Sequence, residues 1–196
     1  MGTYGVKMTA PGCVCRGYRF KPAPAVNECE KADCARCGFH FAENPLDCLS
    51  YYPDFDASEC WLVYGDGEMD EDNVDSKITC TKITFLRKLD KFDFLIACVK
   101  YIHEHPRRQL HRLVCRDVGE VGQRGNNRFV LVVGEHPRAM GSQAGDVLCL
   151  LERREDGQDM LGLFVIGAEG FQPGVWYGVD GLTLGKTTGN GGNADV

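Results

Sequence analysis

The sequence predicts an α+β fold that is mostly β-structure, and three observations lead to this class. Short apolar segments separated by Gly and Pro recur along the chain, as expected for strands that are joined by turns. Residues 91–103 are the one clear stretch whose apolar side chains recur at helical spacing. Beyond residue 119, glycines alternate with apolar runs, which predicts short strands with glycine corners that would stack as a minimal β-solenoid.

Residues 1–105 are expected to form a small mixed domain that is rich in cysteine. Residues 3–8 alternate weakly between polar and apolar side chains and predict a first strand, and residues 13–20 predict a second. The Cys-rich residues 29–37 are expected to form a loop, after which residues 38–41 resume as a short strand. The domain therefore begins as β-structure around a Cys-rich loop.

Two helices are predicted in this domain from their capping residues. Asn44 can accept hydrogen bonds from free backbone amides, and Pro45 suits the first helical position, so a short helix is expected over residues 45–51. Asp90 is the expected N-cap of a longer amphipathic helix over residues 91–103. Its apolar residues recur every three or four positions and make one stripe to bury.

A concentrated acidic segment separates the strands that are expected at residues 60–64 and 78–87. The chain has 22 Lys and Arg against 28 Asp and Glu, a net charge of −6, and residues 66–75 hold six acids and no base. Carboxylates this close repel one another, so we expect an exposed and mobile loop that can meet a basic partner. The six acids are Asp66, Glu68, Asp70, Glu71, Asp72 and Asp75.

The second half of the chain differs from the first in composition and in the secondary structure that it predicts. Residues 106–118 are predicted to form a basic connector, and residues 119–184 a β-rich region. The last residues, 185–196, are rich in Gly and Asn and predict a flexible tail. The strands of the β-rich region are expected at residues 129–133, 147–151, 161–166 and 175–179.

Composition argues against several classes of protein. The longest uninterrupted apolar run, residues 94–99, is far shorter than the ~20 residues that cross a bilayer. The first 20 residues have no apolar core followed by a cleavage site. A general nucleic-acid binder is expected to be basic, and this chain is acidic. We therefore expect a soluble cytoplasmic protein with no membrane association and no direct sequence-specific binding of nucleic acid.

The eleven cysteines favour reduced thiols over a disulfide framework, because their number is odd and no export signal is seen. Cys34 and Cys37, followed by Gly38, have the spacing of a zinc knuckle. No second pair with this spacing stands in the sequence, so reduced, partly buried thiols are the favoured interpretation and zinc is the alternative. The alternative zinc ligands are Cys29, Cys34, Cys37 and Cys48.

Familiar catalytic motifs are incomplete in this chain. Gly185-Lys186-Thr187 has the form of the end of a phosphate-binding loop, but Asp180 stands where that loop needs its first glycine. The GxSxG motif of serine hydrolases does not occur. These motifs therefore do not identify a catalytic site.

Three segments resemble a family of uncharacterised phage and prophage proteins. These are Cys15-Arg16-Gly17, the sequence GFHFAENPLD at residues 38–47, and Tyr51-Tyr52-Pro53. The resemblance covers most of residues 4–180, and its most specific part is ENPLD. It implies a phage context and therefore a location in the cytoplasm of a bacterial host cell or in the virion.

A more distant resemblance is to the core of ADP-ribosyltransferases. It is carried by Arg16-Gly17 on an early strand, by residues 38–41, and by Tyr51 in the helix that follows. The resemblance implies that Arg16 grips the phosphates of NAD while a carboxylate, from Glu59 or Glu68, orients the ribose. The site residues under this alternative are Arg16, His40, Tyr51 and Glu59.

The leading hypothesis is a phage-type accessory protein that acts by binding a macromolecule, as a host-defence inhibitor or a virion-associated component. Its partner is expected to be a protein or nucleoprotein with a basic surface that meets the acidic residues 66–75. No cofactor is expected under this hypothesis. The alternative is an ADP-ribosyltransferase-like enzyme, and NAD is expected only there.

Overall fold

The computed structural model of the chain describes residues 2–34, 36–71 and 74–183. Strands make up 46% of these residues and helices 11%, which confirms the prediction of a mostly-β protein. The predicted flexible tail at residues 185–196 and one acid of the acidic segment, Asp72, lie outside the described residues.

The chain divides into two compact units. Unit 1 comprises Met1–Val114 and Gly122–Asn127, and unit 2 comprises Cys115–Val121 and Arg128–Val196. The described elements of unit 1 are β1 (Thr3–Thr9), β2 (Val14–Cys15), β3 (Tyr18–Arg19), β4 (Ala25–Glu28), β5 (Phe39–Ala42), a 3₁₀ helix (Pro45–Ser50), β6 (Glu59–Glu71), β7 (Lys77–Leu89) and α1 (Lys91–Glu104).

Four strands of unit 1 close into a small antiparallel barrel. β1 pairs with β5 on one edge and with β6 on the other, and β7 pairs with both β5 and β6, so the ring of strands is complete. β4 pairs with the later part of β7. Gly5 and Gly65 lack side chains because a Cβ atom at either position would clash with the ring of Phe41. One cluster of buried residues in this unit contains the aromatic residues Phe20, Phe39, Phe41, Trp61 and Phe85.

The strand predicted over residues 13–20 is wrong, because the chain reverses in its middle. β2 and β3 form a hairpin in which Cys15 pairs with Tyr18. The two residues of the turn, Arg16 and Gly17, have φ angles of 48° and 83°, as type I′ turns require. Sequence reasoning missed this turn because its first residue is arginine rather than the usual Asn, Asp or Gly.

The prediction of a loop at the acidic segment is also wrong, because β6 continues through most of it. β6 runs to Glu71 and pairs with β7, with Asp66 opposite Lys82 and Asp70 opposite Thr79. A register shift follows Asp66, where Gly67 has a φ of 82°. Repulsion between carboxylates does not prevent pairing here, because neighbouring residues of a strand point to opposite faces.

Both helices begin where the sequence places their caps. The Asn44 side chain accepts a hydrogen bond from the Leu46 amide, and Pro45 is the first residue of the 3₁₀ helix. The Asp90 side chain accepts one from the Asp93 amide, at 2.8 Å, at the start of α1. Among the described residues, neither helix has the length and apolar character needed to cross a bilayer.

Unit 2 is a mixed sheet in which the strand order is β11-β10-β9-β12 and β8 also pairs with β9. β9 and β10 are parallel, whereas β11 and β12 are antiparallel to their neighbours. The parallel pair is what two rungs of a solenoid would show, but this mixed sheet does not confirm a solenoid. The strands are β8 (Val114–Glu120), β9 (Phe129–Met140), β10 (Val147–Glu152), β11 (Met160–Val165) and β12 (Trp176–Tyr177).

The predicted basic connector, residues 106–118, ends within a strand. β8 begins at Val114, and the side chains of Val114 and Cys115 are buried. Arg116 follows them and is exposed. The sequence did not predict this strand, because the arginines on either side of Val114 and Cys115 made the whole segment look basic.

Unit 2 buries one carboxylate completely, that of Asp146. Arg128 donates to it from Nε at 2.9 Å, and the backbone amides of Ser142 and Gln143 donate to it at 2.8 and 3.0 Å. Burial acts to raise the pKa of Asp146, but these hydrogen bonds more than offset it and the pKa lies below its usual value. The carboxylate is thus held ionised, and it ties the loop after β9 to Arg128.

Candidate ligand-binding pocket in unit 1

Unit 1 contains a pocket of about 470 Å³ beside β1 and β5. Three of the side chains that line it are cationic, those of Lys7, Arg16 and Lys77. Only one lining residue, Asp47, is acidic. In a chain whose net charge is −6, this concentration of positive charge is local to the pocket. The other polar lining residues are Cys15, His40, Cys48, Tyr51 and Tyr52.

The segment ENPLD builds one wall of the pocket. Asp47 accepts a hydrogen bond from the Ser76 amide at 2.9 Å, and the Asn44 amide donates to the Ser76 hydroxyl at 2.8 Å. These bonds fasten the 3₁₀ helix to the start of β7, where Lys77 stands. The helix then delivers Tyr51 and the next residue to the pocket. The motif that is most specific in the sequence is therefore a scaffold for the residues around it.

Lys7 is the most unusual residue of the site, because it is a cation that is only 4% exposed. Its Nζ donates to the carbonyl oxygen of His40 at 2.6 Å and lies 4.8 Å from the centre of the Phe20 ring. Within the described part of the chain, no carboxylate lies within ion-pair distance of this Nζ. Burial lowers the pKa of Lys7 below that of an exposed lysine.

Arg16 reaches the pocket from the tip of the β2–β3 hairpin. Its φ of 48° is a left-handed conformation, which costs a residue with a side chain about 1 kcal/mol or more. Asn or Gly would make the same turn with less strain. An arginine at this position is therefore poorly explained by the turn, and it is well explained by the pocket that its side chain lines.

Tyr51 and Lys77 form a small network at the mouth of the pocket. The Tyr51 hydroxyl donates to a carboxylate oxygen of Asp75 at 2.8 Å and accepts from Lys77 Nζ at 3.2 Å. The same ammonium lies 5.5 Å from the centre of the Tyr51 ring. Burial and then the Asp75 carboxylate raise the pKa of the Tyr51 hydroxyl, which keeps its proton. Tyr51 is half exposed, so its ring is available to a ligand.

The thiols of the pocket differ in their surroundings. Burial raises the pKa of Cys48 to about 12, and its Sγ donates to the carbonyl oxygen of Val6 at 3.3 Å, so this thiol is inert at neutral pH. Cys15 is partly exposed and adjoins Tyr52. Burial, followed by the interaction with Cys15, raises the pKa of the Tyr52 hydroxyl, which stays protonated.

The structure brings together three of the four residues named for the ADP-ribosyltransferase-like site. Arg16, His40 and Tyr51 all line the pocket, and Glu59 does not. The two oxygens of Glu59 accept from Lys88 Nζ and from the Cys13 amide, each at 2.9 Å. Burial acts to raise the pKa of Glu59, but these donors lower it overall, so the carboxylate is an ionised anchor of the β1–β2 turn.

The structure does not bring the alternative zinc ligands together as one metal site within the described residues. Cys48 donates to Val6, Cys29 Sγ lies 3.7 Å from the carbonyl oxygens of Lys31 and Cys80, and Cys37 is exposed. In the portions of the chain that the structure describes, no group of three or more His, Cys, Asp and Glu side chains is arranged to hold a metal ion.

The five described acids of the predicted partner-binding set fall into two groups. Asp70 accepts from the Cys34 amide at 2.7 Å, and Asp75 is engaged by Tyr51 and by the Lys77 amide. Those two carboxylates hold the fold of unit 1. The other three acids, Asp66, Glu68 and Glu71, lie on exposed or partly exposed positions of β6.

Sequence reasoning missed Lys7, Lys77 and Tyr52 as site residues. A lysine between Val6 and Met8 in a strand is ordinarily expected to face solvent, and nothing local shows that β1 is buried on both faces. Tyr52 was visible in the Tyr-Tyr-Pro segment, but its direction depends on how the 3₁₀ helix ends. Only the assembled barrel reveals these three positions as one site.

Comparison with known proteins finds one family. Residues 3–97 match the model of a domain of unknown function, DUF7666, which covers somewhat less than half of the chain. All of the pocket-lining residues fall within this match. No curated protein and no solved structure matches the chain.

Proposed function

We propose that unit 1 binds an anionic small molecule in this pocket. The observation that carries the proposal is Lys7, a buried cation that lines the pocket and has no carboxylate partner among the described residues. Taking an ammonium out of water costs several kcal/mol, and the fold supplies only a carbonyl and an aromatic face to offset it. A bound anion would supply the missing charge.

The rest of the lining favours an anion that carries a planar ring. Arg16 presents a guanidinium, which suits phosphate and carboxylate oxygens, and Lys77 presents a second ammonium. The rings of Tyr51 and Tyr52 offer faces against which a base or another flat ring can lie. Nucleotides combine these features, and NAD, implied by the ADP-ribosyltransferase resemblance, is one of them.

Calorimetric titration of the purified protein with NAD, ADP and inorganic pyrophosphate tests the proposal. We expect saturable heat with at least one of these anions, and we expect Arg16→Ala to abolish it because the guanidinium contact is lost. Arg19→Ala is the matched control, since Arg19 lies on the same hairpin but does not line the pocket. Absence of heat with all three anions at millimolar concentration would contradict the proposal.

A second candidate function is the binding of a macromolecule with a basic surface. Asp66, Glu68 and Glu71 lie on one exposed or partly exposed stretch of β6, where they present negative charge outside the pocket. With the phage resemblance, this suggests a host-defence complex or a virion component as the partner. A pull-down from bacterial lysate with the whole chain tests it, and recovery of no stable partner would count against it.

A further inference from the structure

Lys7 has the surroundings of an amine nucleophile as well as those of a binding cation. We propose that Lys7 forms an imine with the carbonyl carbon of an anionic aldehyde or ketone that enters the pocket. This inference rests on the proposed function, because the anion, held by the other two cations of the pocket, Arg16 and Lys77, is what brings the carbonyl group to the amine of Lys7. It assigns to unit 1 a covalent chemistry that ligand binding alone does not require.

The hydrogen bond to His40 prepares the amine for this reaction. A neutral primary amine has two N–H groups and one lone pair, and an N–H donated to the His40 carbonyl at 2.6 Å leaves the lone pair for an electrophile. Burial favours the neutral amine over the ammonium, and no carboxylate among the described residues restores the charged form. Desolvated lysines of this kind are the ones that attack carbonyl groups.

The chemistry balances without any oxidant or reductant. The lone pair of Nζ forms a bond to the carbonyl carbon while the C=O π pair moves to oxygen, which takes up a proton and gives a carbinolamine. The nitrogen then expels this hydroxyl as water, and it loses both of its original protons in the course of the reaction. The products are the imine and one water. The Tyr52 hydroxyl keeps its proton and lines the same pocket, so it is an available donor to the carbonyl oxygen.

Other lysines of unit 1 provide an internal comparison. The side chain of Lys31 is 68% exposed and pairs with Asp33, and that of Lys100 is 71% exposed and pairs with Glu104. Each of these two ammonium groups is in contact with water and with a carboxylate, whereas Lys7 is buried with no carboxylate partner among the described residues. Each unit by which the pKa of a lysine falls raises its neutral fraction at pH 7 about tenfold. Lys7 is therefore expected to react before these two.

The test uses the whole chain with pyridoxal 5′-phosphate, an anionic aldehyde with a planar ring. Borohydride, added after brief incubation, reduces the imine to a stable secondary amine, and peptide mass mapping locates it. We expect Lys7 to be trapped about tenfold faster than Lys31 or Lys100. Lys7→Arg keeps the positive charge and should lose this fast adduct, whereas the control Lys31→Arg should retain it. Circular dichroism checks that both variants fold.

Calorimetry with pyridoxine 5′-phosphate, the alcohol that cannot form an imine, tests anion binding separately from imine formation. If this alcohol binds but Lys7 reacts no faster than Lys31, the imine is overturned while anion binding stands. If the alcohol does not bind and Lys7 is not trapped selectively, both are overturned for this class of anion. Selective trapping of Lys7 that persists in the Lys31→Arg variant and disappears in Lys7→Arg supports the imine.

Discussion

Among the residues that the structure describes, Lys7 in unit 1 and Asp146 in unit 2 are the charged residues classed as buried, and their surroundings are opposite. Asp146 in unit 2 is 0% exposed, and it is met by the Arg128 guanidinium and by two backbone amides. Lys7 in unit 1 is 4% exposed and is met by one carbonyl oxygen and a ring face. Burial of either ion costs several kcal/mol. Unit 2 offsets that cost within its own fold, whereas the described residues of unit 1 offer Lys7 no opposite charge.

The two pKa values express the same difference. Hydrogen bonds overcome the effect of burial on Asp146, so its pKa falls and the charge is kept. Burial prevails at Lys7, so its pKa also falls, but for a base this means that the charge is disfavoured. A buried charge that is fully satisfied is structural, and one that is left unsatisfied in a pocket indicates function.

The largest expected effect is the loss of the ion pair in unit 2 between the buried Asp146 and the partly exposed Arg128. Asp146→Ala removes the acceptor of four hydrogen bonds and leaves the Arg128 guanidinium without its carboxylate partner, so we expect unfolding to become easier by about 3 kcal/mol. Urea denaturation at pH 7 measures this. Glu155→Ala, at an exposed position of the same unit, should change stability by less than about 0.5 kcal/mol. A loss below about 1 kcal/mol for Asp146→Ala would remove the contrast between the units.

Replacement of the buried cation of unit 1 should have the opposite sign. Lys7→Met keeps an unbranched chain and removes the charge, so we expect stability to increase by about 1–2 kcal/mol at pH 7. The cost of the charge is fully present below the lowered pKa of Lys7 and vanishes as pH rises towards 10.5, the ordinary lysine value. The advantage of Lys7→Met should therefore shrink between pH 7 and pH 10 in urea titrations. A destabilised variant would show that the fold, rather than a ligand, needs the ammonium.

The hairpin that carries Arg16 should respond in the same direction, but less. Arg16→Asn relieves the strain at a φ of 48°, so we expect a gain of about 0.5–1 kcal/mol together with loss of anion binding. Arg19→Asn, on the strand that follows the turn, should retain binding. Thermal melting and calorimetry on both variants measure the two effects. If Arg16→Asn binds anions as well as the wild type does, the hairpin tip has no part in the site.

The helix starts and Arg16 could be identified from the sequence, whereas the burial of Lys7 could not, and the reasons are physical. Local signals are strong where one residue decides the conformation, and for that reason Asn44 and Asp90 mark the starts of their helices. Arg16 was also singled out from sequence, by resemblance, although the turn that it occupies was not. The burial of Lys7 could not be predicted, because it depends on how β1, β5 and the β2–β3 hairpin come together. Contacts between residues far apart in sequence decide which charges lose water, and no local pattern reports them.

The smallest effect on stability is expected at the exposed acids of β6. Glu68→Gln with Glu71→Gln removes two exposed charges that make no structural hydrogen bond through their side chains in the described residues. We expect the free energy of unfolding to change by less than about 0.5 kcal/mol. Asp70→Ala is the contrasting variant, because it removes the carboxylate that accepts from the Cys34 amide, and it should destabilise by about 1 kcal/mol.

The same double variant separates a binding surface from a solubilising one. If β6 meets a basic partner, loss of two charges should slow association with the recovered partner at low salt. The difference from wild type should fade as salt rises, because screening acts over about 8–10 Å at ordinary ionic strength. Anion binding in the pocket should be unchanged, since Glu68 and Glu71 do not line it. Equal association rates at low salt would mean that these carboxylates only keep the chain in solution, and that the pocket is the part of unit 1 with a ligand to find.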